Sequence, residues 1–202
     1  LAQRWHEWEV WGEGALAFAG FCLAASGIYV ANDLLDIEAD RAHPAKRTRP
    51  FASGALSRRF GVVLSGALLV ASLAITGAAL SFWTTLLLAS YAGLSMLYSL
   101  WLKRLVMVDV LVLSSLYAVR ILGGGAATRT PVSQWLIAFS GFLFLSLAFA
   151  KRYTELHQLA FNNGPEERAA GRGYRVQDLS LLETLGPASG YMAALVLAMY
   201  IN

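Results

Sequence analysis

Apolar positions run almost unbroken through most of this chain, and polar ones gather in short stretches between them. A helix that crosses a bilayer needs ~20 predominantly apolar residues, and several runs approach that length. The pattern predicts spans at about 14–34, 60–80, 82–101, 105–126 and 133–153, with a sixth starting near Pro187 and running to 202. The expected fold is all-α: a polytopic transmembrane helical bundle, a single domain over 1–202. The sixth run is short and Leu1 is not an initiator residue, so the chain is expected to be a fragment, incomplete at both ends.

Composition agrees with burial in lipid. The chain is 57% hydrophobic and only 14% charged, which excludes an ordinary soluble domain. Cys22 is the single cysteine and lies inside the first run, so it forms no internal disulfide and reads as a small apolar helix residue.

Charge gives an expected orientation. Arg41, Lys46, Arg47, Arg49, Arg58 and Arg59 follow the first span. Lys103 and Arg104 separate the third from the fourth, and Lys151, Arg152, Arg168, Arg172 and Arg175 follow the fifth. With these spans, all three groups fall on one side, leaving Arg4 and Arg129 on the other. Loops rich in Lys and Arg stay cytoplasmic, so the basic side is expected to be cytoplasmic, in the inner (plasma) membrane of the cell. The pI near 9.2 then reflects topology and phosphate-binding loops, and no nucleic acid partner is expected.

The most informative polar stretch is Asn32-Asp33-Leu34-Leu35-Asp36-Ile37-Glu38-Ala39-Asp40, at the end of the first run. On a helix turning about 100° per residue, Asn32, Asp33, Asp36 and Asp40 share an arc of roughly 100°, and Glu38 points away. Carboxylates that repel one another need a cation, and hard oxygen ligands suit Mg²⁺ held jointly with substrate phosphates. A basic loop follows directly, His43-Pro44-Ala45-Lys46-Arg47-Thr48-Arg49-Pro50.

Three further stretches carry candidate chemistry. In Lys151-Arg152-Tyr153-Thr154-Glu155, the two cations read as a phosphate clamp and Glu155 as a metal ligand or hydroxyl acceptor; the rival is a surface salt bridge. In Tyr98-Ser99-Leu100-Trp101-Leu102-Lys103-Arg104, the cations either reach a diphosphate or anchor the interface beside Trp101. Asp109 is costly near lipid and should pair with Lys or Arg or face a wet cavity. Arg120 in the fourth span is either functional or a lock between helices, and Gly123-Gly124-Gly125 after it suit close helix packing. The loop Phe161–Glu183 reads as a connector or as a cover over bound substrate. No P-loop, zinc-ligand spacing or Ser-His-Asp arrangement can be drawn.

Asn-Asp-x-x-Asp-x-x-x-Asp at 32–40, followed by Arg49-Pro50-Phe51-Ala52-Ser53-Gly54, resembles the first signature of the UbiA superfamily of intramembrane prenyltransferases. Tyr98-Ser99, Leu102-Lys103, Asp109 and Arg120 with its glycines are similar to that family's middle helices. The resemblance implies a nine-helix protein that binds a diphosphate through Mg²⁺ on two Asp-rich motifs. Here the second motif is replaced by Lys151-Arg152-Tyr153-Thr154-Glu155, which resembles the branch making decaprenylphosphoryl-5-phosphoribose, a decaprenyl-phosphate phosphoribosyltransferase.

That branch implies transfer of 5-phosphoribosyl from phosphoribosyl pyrophosphate to a polyprenyl phosphate, releasing pyrophosphate, for cell-wall arabinan precursors. The implied catalytic and metal set is Asp33, Asp36 and Asp40 with Mg²⁺. The implied substrate-binding set is Asn32, Lys46, Arg47, Arg49, Tyr98, Lys103, Lys151, Arg152, Tyr153 and Glu155. The alternative is prenyl transfer from a polyprenyl diphosphate to an aromatic acceptor. Either reading is compatible with a homo-oligomer.

Overall fold

The structure, a computed structural model, describes residues 6–42, 46–163 and 172–201. Arg4 and Trp5, His43-Pro44-Ala45, Arg168 and the centre of the 161–183 loop lie outside the described residues. Among the described residues there are seven α-helices and no β-strand: α1 Trp8–Leu35, α2 Ile37–Ala42, α3 Arg58–Ala79, α4 Phe82–Leu100, α5 Val108–Ala127, α6 Gln134–Asn163 and α7 Leu179–Ile201. Short 3₁₀ turns occupy Leu102–Arg104 and Val176–Asp178.

Five segments are long and apolar enough to cross a membrane: Trp8–Leu35, Arg58–Ala79, Val108–Ala127, Gln134–Phe161 and Val176–Ile201. With their outward apolar side chains, they make this an integral membrane protein. Helix α4 falls short of that standard, because Thr84, Thr85, Ser90, Ser95 and Ser99 dilute its leucines. Helix α7 starts at Leu179, ahead of the expected start near Pro187, and carries that proline inside. Transmembrane helices tolerate such a proline because neighbouring groups can satisfy the freed carbonyl.

The chain forms two compact units, one from residues 1–96 and 122–131, the other from 97–121 and 132–202. In the first, α1 packs on α3 through small residues. Ala17, Gly20, Ala24 and Gly27 are buried on α1, and Gly61, Ser65, Ser72 and Thr76 on α3. Small side chains let backbones approach closely, the main source of helix association in lipid. Ser65 Oγ donates to the Gly27 carbonyl at 2.8 Å, and a Cβ on Gly20 would lie 2.6 Å from the Thr76 methyl. Phe21 meets Tyr91 edge-on and covers Gly123, where a Cβ would fall 2.5 Å from its ring. That contact accounts for one glycine of the triplet after Arg120.

In the second unit, α6 packs along α7. Ser146 Oγ donates to the Gly186 carbonyl at 2.8 Å, and Phe149 lies over Gly186. The core joins Val110, Ala148, Phe149, Leu156, Tyr174 and Leu182. Arg120 lies over the Tyr117 ring at 5.5 Å, and Tyr117 stacks on Phe144 at 4.3 Å, so its charge meets an aromatic face.

Candidate functional site

The acidic stretch of the first unit straddles the break between α1 and α2. Asp36 interrupts the helix, with φ −95° and ψ 6°. Even so, its N–H donates to the Asn32 carbonyl at 3.0 Å, and the Asp40 N–H donates to the Asp36 carbonyl at 2.8 Å. The i→i−4 register therefore passes through the break and keeps Asn32, Asp33, Asp36 and Asp40 together. Glu38 is turned to Arg58, 2.6 Å away, and to Arg41 at 3.6 Å.

Arg49 reaches this cluster because its loop is folded rather than extended. The Ser53 N–H donates to the Arg49 carbonyl at 2.8 Å and the Leu56 N–H to the Pro50 carbonyl at 3.0 Å. Gly54 makes the turn at φ +82°, which favours glycine. Phe51 is buried over Gly61, where a Cβ would lie 2.7 Å from its ring, and Arg41 Nε holds the Ala52 carbonyl at 2.9 Å. From this anchor a single nitrogen, Arg49 Nη1, donates to Asp33 Oδ1 at 3.1 Å and Asp40 Oδ2 at 2.9 Å. Asn32 Nδ2 donates to Asp36 Oδ2 at 3.1 Å.

Among the described residues, no three His, Cys, Asp or Glu side chains converge as a metal-binding group. Instead, two carboxylates share one guanidinium nitrogen and the third turns to an amide. Two carboxylates on one face are the ligand set by which a hard divalent cation is held when substrate phosphates and water complete its shell.

The second unit builds a different cluster around Arg152, which is 1% exposed, and Asp109, which is 0% exposed. Arg152 Nε donates to Asp109 Oδ2 at 2.5 Å, Nη1 pairs with Glu155 Oε2, and Nη2 donates to the Tyr98 hydroxyl at 3.1 Å. The other oxygen of Asp109 accepts from the Tyr174 hydroxyl at 2.6 Å. Asp109 is therefore paired, as its cost near lipid requires. Arg172 approaches the same acids at longer range, 3.4 Å from Glu155 and 3.6 Å from Asp109, and donates to the Tyr98 hydroxyl at 3.2 Å.

Local packing fixes this second cluster. Tyr174 is fully buried, and its hydroxyl also accepts from the Met107 N–H at 3.0 Å. Met107 sits at φ +66°, a conformation that costs a non-glycine residue roughly 1 kcal/mol or more and persists only where neighbours enforce it. A Cβ on Gly173 would lie 2.2 Å from the Arg104 carbonyl oxygen, so only glycine passes there. Burial, then the bond to Asp109, pushes the Tyr174 phenol up from its usual range and keeps it protonated.

Asn32, Asp33, Asp36, Asp40 and Arg49 are thus together in one unit, and Tyr98, Arg152 and Glu155 in the other. Lys46, Arg47 and Lys151 are exposed. Lys103 is half-buried in the 102–104 turn, and Tyr153 is half-buried against His157, ring centres 5.7 Å apart. Sequence reasoning passed over Arg172 and Tyr174 as site residues. The signal available was a buried acid at 109 in need of more than one donor, and an arginine flanked by Gly171 and Gly173.

These features define a class, a helical integral membrane protein with two clusters of opposed charges. The chain belongs to the UbiA prenyltransferase family, whose sequence profile matches residues 1–171. It is similar to the nodulation protein NoeC of Azorhizobium caulinodans, 41% identical over 93% of this chain and 60% of that protein. It is also similar to the decaprenyl-phosphate phosphoribosyltransferase of Mycolicibacterium smegmatis, 40% identical over 85% of this chain and 53% of the relative. A protoheme IX farnesyltransferase of Xanthomonas oryzae is 33% identical over 60% of this chain and 38% of its own. The chain therefore spans between half and two-thirds of the length of the first two relatives.

Proposed function

We propose that the protein containing this chain transfers a 5-phosphoribosyl group from phosphoribosyl pyrophosphate to a polyprenyl phosphate, in the plasma membrane with the acidic cluster on the cytoplasmic side. The observation that carries the reading is the composition of the second cluster. Where the family resemblance implies a second set of carboxylates, this chain holds Arg152 and Arg172 against Asp109 and Glu155, with Lys151 exposed beside them. Cations at this position, in place of carboxylates, suit substrates rich in phosphate, with Arg152 buried behind the contact rather than making it. The similarity to a decaprenyl-phosphate phosphoribosyltransferase supports the same reading.

In this reaction the bond from ribose C1 to the pyrophosphate oxygen breaks, and the electron pair leaves with pyrophosphate. An oxygen of the lipid phosphate forms the new bond to C1. That oxygen is already anionic at neutral pH, so the step needs no strong general base. Asp33 and Asp40, with Asp36 near them, would hold Mg²⁺, which neutralises charge developing on the departing pyrophosphate. Asn32 orients Asp36. Arg49, half-exposed between its two carboxylates, and the exposed Lys46 and Arg47 supply cations for the donor's phosphates. Charge aimed at a developing anion is the principal catalytic effect available to such a site. An arabinan precursor for the cell wall is a fitting destination for the product.

The test is incubation of the intact protein with Mg²⁺, labelled phosphoribosyl pyrophosphate and polyprenyl phosphate, following label into the organic phase. Transfer lost with Asp36→Ala and with Lys151→Ala is the expected result. Activity only with a prenyl diphosphate and an aromatic acceptor would replace this reading with ordinary prenyl transfer.

A further inference from the structure

Arg152 and Arg172 differ in how fully each is satisfied. Arg152 is 1% exposed, and each of its three nitrogens meets a partner, Asp109, Glu155 or Tyr98. A ligand could reach it only by exposing a buried ion pair, which is strongly unfavourable. Arg172 is 22% exposed, and among the described residues it makes one hydrogen bond, to the Tyr98 hydroxyl at 3.2 Å. Both oxygens of Asp109 are already taken, by Tyr174 and by Arg152. Glu155, 39% exposed, is shared with Arg152 and stands 3.4 Å from Arg172. Half-exposed pairs at such distances hold weakly. A guanidinium carries five N–H donors, so most of this one remains for a ligand.

Its position is nevertheless firm. Gly173 is threaded against the Arg104 carbonyl, and Tyr174 is buried with its hydroxyl fixed between Asp109 and Met107. Arg172 is therefore held by the two residues that follow it. Tyr98 accepts from both guanidinia, which keeps two like charges side by side. A guanidinium fixed in place and open toward solvent is suited to bidentate contact with a phosphate.

We propose that Arg172 is a substrate-contacting residue that receives a phosphate monoester in place of its long contact to Glu155, which stays paired with Arg152, the buried positioning partner. This rests on the phosphoribosyl-transfer reading only for which substrate brings the monoester: the 5-phosphate of the donor or the head group of the lipid.

The test measures KM for each substrate separately, with the intact protein in proteoliposomes, for wild type, Arg172→Gln and Arg172→Lys. Arg172→Gln is expected to raise one KM about tenfold to hundredfold, as loss of a hydrogen-bonded charge contact does, with Arg172→Lys in between. A rise for phosphoribosyl pyrophosphate assigns the site to the donor, and a rise for polyprenyl phosphate assigns it to the acceptor. Unchanged KM values, or a fall in kcat alone, would overturn the proposal. If wild type transfers no phosphoribosyl group, the function reading fails and a binding measurement decides. Ribose 5-phosphate should then raise the melting temperature of wild type and not of Arg172→Gln. Equal effects on both would overturn the proposal independently of the reaction.

Discussion

Asp109 and Glu155 both pair with Arg152, but burial makes their contributions unequal. Removing one partner of a fully buried pair leaves an uncompensated charge, at a cost of about 3–5 kcal/mol. Asp109→Asn is therefore expected to lower stability by that order in a melting experiment on the purified protein. Glu155→Gln, at a half-exposed site, is expected to cost less than about 1 kcal/mol. Equal losses would contradict the distribution of burial described for the cluster. Tyr174 adds a pH dependence. Its phenol titrates above its ordinary value of about 10 because burial and Asp109 disfavour the anion. The stabilisation it contributes is fully present below that ordinary value and is lost as pH rises through the raised one. Alkaline melting curves should show this loss in wild type and lack it in Tyr174→Phe.

At the scale of the elements, the apolar runs made the all-α membrane fold legible, because length and hydropathy alone decide what can span a bilayer. Helix ends were less legible. The acidic stretch reads as one continuous helix, whereas α1 stops at Leu35 and α2 resumes at Ile37 around Asp36. The hydrogen-bond register continues through, so the shared face of Asn32, Asp33, Asp36 and Asp40 outlasts the break. Arg49 was legible as a cation near those acids, but its bridging role depends on Phe51 seating over Gly61, a tertiary contact without periodic signal. Arg172 was hidden for a similar reason, since it lies on an irregular segment whose path depends on the Tyr174 anchor. The small-residue seam between α1 and α3 gives a sharper prediction. A Cβ on Gly27 would already sit 3.1 Å from the Ser65 carbonyl, so Gly27→Leu should destabilise the protein by about 1–3 kcal/mol or more. Gly66, with open space around it, should accept Ala with little loss, as paired melting curves would show.

For the whole molecule, the proposed transfer assigns a divalent metal and the donor's pyrophosphate to the carboxylates of the first unit, and a further phosphate to Arg172 of the second. Chelating divalent cations with EDTA is therefore expected to abolish transfer and Mg²⁺ to restore it, measured in the same membranes. A competition experiment separates phosphoribosyl transfer from prenyl transfer: both candidate donors, phosphoribosyl pyrophosphate and a polyprenyl diphosphate, are supplied with polyprenyl phosphate and an aromatic acid as acceptors. The products in the organic phase are then identified by mass. The expected product is a polyprenyl phosphate heavier by one phosphoribosyl group, formed only with Mg²⁺. A prenylated aromatic acid, with the polyprenyl phosphate recovered unchanged, would contradict it.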